Sequence, residues 1–146
     1  MGRVRKPAAL AVFVVATLVL TAPCMKTLLV ETVNVPSHAE WSAATTAVLT
    51  PGAAFSIEVD STQHWTSGSW TGTADGDIPQ WGDYTLPGAT AYSLIGRIGS
   101  DGEPFFIGTR YEGVAASNGV LELAMNDVPG EYRDNRGDLT VVVTIP

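Results

Sequence analysis

Between two apolar runs, LELAM (121–125) and LTVVVTI (139–145), the chain places Asp127, Glu131, Asp134, Asn135 and Asp138. Carboxylates this close repel one another unless water or a cation lies between them. The donors are all oxygen. Ca²⁺ takes six to eight such oxygens from carboxylates, amides, main-chain carbonyls and water, whereas Mg²⁺ prefers few protein ligands in a tight octahedron. Pro129-Gly130 turns the chain so that Asp127 can face Asp134 and Asn135, and Gly137 relaxes the backbone behind them. The same residue types also build ordinary solvated turns, so composition leaves both a calcium site and a plain surface loop open.

Other chemistries find less support. Cys24 is the single cysteine, which leaves no intrachain disulfide and no thiolate metal site. His38 and His64 are too few for a zinc site of nitrogen and sulfur ligands. His64 stands near Asp60, Ser61 and Ser67, but no nucleophile elbow accompanies it. Acids are plentiful, yet no spacing marks out a glycosidase pair. The chain reads as a non-enzyme. Arg136-Gly137-Asp138 is a chance tripeptide at the start of a strand, and Ser100–Glu103 reads as a hairpin turn.

The elements that must position the loop are β-strands. LLVETVNV (28–35) and AFSIEVD (54–60) alternate apolar and polar residues, and TTAVLT (45–50) stops at Pro51-Gly52. AYSLIGRIG (91–99), FFIGTRYEGVAA (105–116, one or two short strands), VLELAMN (120–126) and LTVVVTI (139–145) continue the pattern. LTVVVTI carries little polar residue on either face, which predicts a central, largely buried strand. Residues 61–90 lose their periodicity and read as a long ordered loop holding Trp65, Trp70 and Trp81. Trp65 reads as core packing; for Trp81, core packing and a ligand wall are equally open. Seven or eight short strands without helical spacing predict an all-β fold, a small jelly-roll-like β-sandwich over 28–146.

The 146 residues carry a formal charge of −7, unevenly spread. Arg3, Arg5, Lys6 and Lys26 lie in the first 26 residues, which hold no acid; every Asp and Glu lies beyond. A body this acidic is a poor partner for nucleic acid. Its N-terminus, MGRVRK followed by 19 uncharged residues (7–25), predicts a signal peptide or an uncleaved membrane anchor at 1–27. Pro23 before Cys24 opposes a lipoprotein site, and Ser37-His38-Ala39 has the form of a cleavage site but would cost the first strand. Either reading exports the body, secreted or anchored to the cell envelope, with membrane contact only through the N-terminal segment.

Segment 94–145 resembles the PA-IL-like calcium-dependent galactose-binding lectins, through IGRIG and a glycine turn and above all through NDVPGEYRDNRGDLTV (126–141). VNVPSHAEWSAATTAVLTPGAAFSIEV (33–59) extends the likeness more weakly. The resemblance implies a galactose-binding-like β-sandwich with one calcium ion at its end. It implies Asp127 as a side-chain ligand, Glu131 as a carbonyl ligand, Asp134 and Asn135 as side-chain ligands, and a further carbonyl within Trp65–Gly68. Asp at 134, where the family has Asn, keeps an oxygen and adds a charge.

The resemblance further implies a neutral, galactose-like carbohydrate, chelated to calcium through vicinal hydroxyls and hydrogen-bonded by Asp127 and Asp134. It also implies a homo-oligomer, since related lectins form tetramers. The family's sugar pocket uses a His and a Gln from this loop. DGDIPQWGDYTLPGA (75–89) has no His, Gln80 and Asp83 stand near the expected spacing, and Trp81 between them could supply an apolar wall. Galactose specificity is not carried over. The alternative is a calcium-stabilised structural or protein-interaction domain of the envelope that binds no sugar.

Overall fold

The computed structural model describes residues 27–146. The expected signal or anchor at 1–27, with Cys24, lies outside them except for its last residue. Among the described residues no helix is long and apolar enough to cross a membrane.

The fold is all-β. Its strands are β1 (Leu29–Pro36), β2 (Ala43–Leu49), β3 (Ala54–Val59), β4 (Trp65–Ser67), β5 (Trp70–Gly72), β6 (Leu94–Ile98), β7 (Phe105–Phe106), β8 (Arg110–Val114), β9 (Gly119–Met125), β10 (Asn135–Arg136) and β11 (Asp138–Ile145). One four-stranded sheet runs β1-β11-β3-β8 and a second runs β2-β9-β6-β7; every pairing is antiparallel. Alternation explains the layering, because successive side chains of a strand point to opposite faces. Val33 and Val35, Phe55, Ile57 and Val59, and Leu139, Val141 and Val143 are buried from the first sheet. Ala43, Leu49, Leu94, Ile98, Leu121, Leu123 and Met125 meet them from the second in one core. β1 is paired with β11 along its whole length, so a cut after Ala39 would remove a built-in strand.

Two expectations need correction. LTVVVTI lies between β1 and β3, but only one face is buried; Val142 on the other is 36% exposed. Its apolar composition reflects β-propensity on a solvated face as much as burial. Residues 61–90 contain β4 and β5, a hairpin that joins β10 in a third, small sheet. Strands of three residues are too short to show a period. Within 91–116 the expected strands are present: β6 begins at Leu94, after the left-handed Tyr92 (φ 61°), and 105–116 form two short strands parted at Gly108 (φ 68°). Trp65 is a core residue at 1% exposure, as expected, and its indole Nε1 donates to the Tyr92 carbonyl at 3.0 Å.

Candidate metal centre

The small sheet builds the site. β10 pairs with β4 so that Asn135 faces Ser67 and Arg136 faces Thr66. Gly68, at φ 55°, turns the chain out of β4; a methyl group added there would lie 3.3 Å from Asp134 Oδ2. Segment Trp65–Gly68 and the Asp134-Asn135 pair are therefore neighbours in space, although the sequence separates them widely. A single 3₁₀ turn, Tyr132–Asp134, connects Glu131 to Asn135. Tyr132 anchors it: its hydroxyl donates to the Met125 carbonyl at 2.9 Å, and burial pushes the phenol up to about 12.

Asp127 and Asn135 meet in the interior. Asp127 is 4% exposed and Asn135 fully buried. Asn135 Nδ2 donates to Asp127 Oδ2 at 2.8 Å and to the Ser37 carbonyl at 3.0 Å. The Val128 amide donates to Asp127 Oδ1 at 2.7 Å. Burial holds the Asp127 carboxyl above the ordinary carboxylate range; the Asn135 and Val128 hydrogen bonds oppose this, and the charges of Asp134 and Glu131 add to it. No ion pair reaches it among the described residues, where Arg97 pairs with Glu122 and Arg110 with Glu58 and Glu112. Arg136, next to Asn135 in sequence, turns its Nη1 to the carbonyls of Arg133 and Asn135.

Asn135 Oδ1 is the one buried side-chain nitrogen or oxygen among the described residues without a hydrogen-bond partner. Leaving such an atom unsatisfied costs about 1–3 kcal/mol. A partnerless amide oxygen, a buried carboxylate with no cation, and the exposed carboxylate of Asp134 make a donor set that fits a hard cation. No three His, Cys, Asp or Glu side chains converge among the described residues. A cation here would have to draw part of its shell from amide and carbonyl oxygens. Glu131 is exposed, and its amide closes a turn onto the Val128 carbonyl at 3.0 Å.

Segment 80–90 packs beside this centre. The Thr85 amide and hydroxyl both donate to the Asp127 carbonyl, at 3.0 and 2.9 Å. A methyl group added at Gly82 would touch Val128. Trp81 is 67% exposed, its ring edge-on to Tyr84 and Tyr92 with centroids 5.8 Å away in both cases. Asp83 is also exposed. Gln80 is otherwise engaged: its amide nitrogen donates to the Leu86 carbonyl at 2.5 Å, and its oxygen accepts from the Gly88 amide at 3.2 Å. It braces the loop instead of presenting a free amide. His64 is exposed, with Nδ1 on the Thr62 carbonyl, and Ser100–Glu103 lies in the turn between β6 and β7.

Sequence reasoning missed Ser37, whose carbonyl holds Asn135, and Asn126, whose side chain bonds Leu86 and Thr90. The only signal for Asn126 was its place at the head of the NDVPG turn.

No curated protein matches the sequence. Among solved structures the fold is similar to a domain described as the EclA N-terminal domain, a PllA-like lectin, with a TM-score of 0.61 and 22% identity over 82% of this chain and 98% of that one. At that identity the likeness speaks for the fold. A family model described as PA-IL-like protein matches residues 30–146, both sheets and the acidic loop included, and the chain belongs to that family.

Proposed function

We propose that the protein is an exported, non-catalytic lectin whose saccharide binds at a calcium ion held by Asp127, Asp134, Asn135 and the Glu131 carbonyl. A further carbonyl comes from Trp65–Gly68. The observation that carries this reading is the buried, partnerless Asn135 Oδ1 beside the buried carboxylate of Asp127. Bound calcium would satisfy the first and neutralise the second. It would also keep open positions for two vicinal hydroxyls of a neutral, galactose-like sugar. Asp127 and Asp134 accept hydrogen bonds from those hydroxyls, and charge-assisted bonds of this kind are strong. Exposed Trp81 offers the apolar wall and Asp83 a polar contact, while Gln80 acts through the loop it braces.

The alternative, a purely structural calcium, calls for a closed shell. The exposure of Glu131, Asp134 and Trp81 favours an open one. The test is a thermal melt in EDTA and then in calcium, followed by a glycan array in calcium. A Tm rise with Ca²⁺ and little with Mg²⁺, then calcium-dependent array binding, is the expected result. No shift up to several millimolar calcium would reduce the loop to a solvated turn and remove the basis for the lectin.

A further inference from the structure

We propose that Asn126 is a positioning residue that holds segment 80–90, and with it Trp81, against the metal loop. This deepens the calcium-dependent saccharide reading and rests on it. Asn126 is fully buried. Its Oδ1 accepts from the Leu86 amide at 2.8 Å; its Nδ2 donates to the Leu86 carbonyl at 3.2 Å and the Thr90 carbonyl at 3.1 Å. Its backbone adds a donor bond to the Ser93 carbonyl at 2.7 Å and an acceptor bond from the Tyr92 amide at 2.8 Å. Only an amide side chain supplies an acceptor and two donors together. Asp would lack the donors, and an aliphatic residue would lack everything.

Segment 80–90 is also fixed at its other points: Tyr84 is buried in the core, and the Thr90 hydroxyl donates to the Asp75 carbonyl at 2.6 Å. The Ile78–Ala91 bridge closes its base, Gln80 ties its start to Leu86 and Gly88, and Thr85 hangs on the Asp127 carbonyl. Leu86 and Thr90 are thus gripped by the residue immediately before a proposed metal ligand. Tyr92, which supports the Trp81 ring, has a left-handed φ of 61° that its amide bond to Asn126 helps to hold. Residues 126 and 127 divide the work: Asp127 serves the ion, and Asn126 sets the wall beside it.

The test compares the protein with its Asn126→Ala variant, by hydrogen exchange of the 85–91 amides without metal, by calcium melts, and by retention in calcium on immobilised galactose, mannose and N-acetylglucosamine. In the variant, exchange in 85–91 rises at least about tenfold, the scale of one lost hydrogen bond. The calcium-dependent Tm rise persists, and whichever sugar retains the parent protein retains the variant at least about tenfold more weakly. Unchanged exchange overturns the proposal. So does loss of the calcium effect, which would make Asn126 part of the metal frame, or equal retention on the sugar. Should Asn126→Ala not fold, Thr85→Val removes one strut of the same loop and shows the same directions with smaller changes. A parent protein that ignores calcium sinks the calcium reading, while the exchange measurement still decides what Asn126 holds.

Discussion

Two acidic turns of the protein solve the problem of like charge in different ways. Asp101 and Glu103 sit exposed in the turn between β6 and β7, where water screens them. Asp127 is buried, and its neighbour Asn135 has an amide oxygen that nothing in the described chain satisfies. Glu31 shows a third solution: its carboxylate accepts from the amides of Thr46 and Ala47, at 2.7 and 2.8 Å, where β2 shifts register against β9. The number of carboxylates does not distinguish these places. What distinguishes them is how many of their oxygens the protein and water leave unsatisfied, and only the 127–135 loop leaves a buried one.

The strongest test of that difference is to remove each acid in turn. Asp127→Ala should abolish the calcium-linked rise in stability, which for the parent protein amounts to about 2.7 kcal/mol at a hundredfold excess over Kd. Asp101→Ala should keep it whole. A calcium melt of both variants decides this, and equal loss in both would mean the two turns do not differ in kind.

Next in size is Gly68→Ala. It forces a side chain into a left-handed backbone, at roughly 1–2 kcal/mol, and presses a methyl toward Asp134 Oδ2. Stability should fall without metal, and titration calorimetry should show weaker calcium binding. Unchanged affinity would separate Gly68 from the centre.

Smaller still is Glu31→Gln. Burial raises the Glu31 carboxyl, but the hydrogen bonds from Thr46 and Ala47 outweigh it and hold it below the ordinary glutamate value of 4.5. A depressed carboxyl stabilises the fold above its unfolded value and stops doing so as pH falls through the folded one. The variant should therefore lose about 1 kcal/mol or less at neutral pH, since the site is partly solvated. The gap to the parent should close in melts below that range, and a gap independent of pH would assign it to packing.

The smallest effect on stability belongs to Trp81→Ala, within about 0.5 kcal/mol for so exposed a residue. Its calcium melt should match the parent, while calcium-dependent array binding is lost. Retained binding would remove Trp81 from the saccharide wall.

Much of this was legible in the sequence. Alternation at Val33 and Val35, and at Phe55, Ile57 and Val59, marked the buried faces, because a strand's period is local. NDVPGEYRDNRG carries the oxygen donors of the proposed site, because ligand chemistry is a property of residue type. The β4–β5 hairpin was not legible, since three-residue strands show no period. Nor was the engagement of Gln80, which depends on where the Leu86 and Gly88 backbones fold. Trp65 and Trp81 show the limit most simply. They are the same residue in the same stretch, one 1% and the other 67% exposed.

The sequence by itself determined the β class, the acidic body and the kind of atom offered to a cation, because these follow from side-chain chemistry and near-neighbour spacing. Tertiary structure alone decided which oxygen was left without a partner, which tryptophan faced solvent, and that Ser67-Gly68 came to lie against Asp134-Asn135. Those outcomes depend on pairing between segments far apart in the chain, and no local pattern encodes what a residue will meet across a sheet.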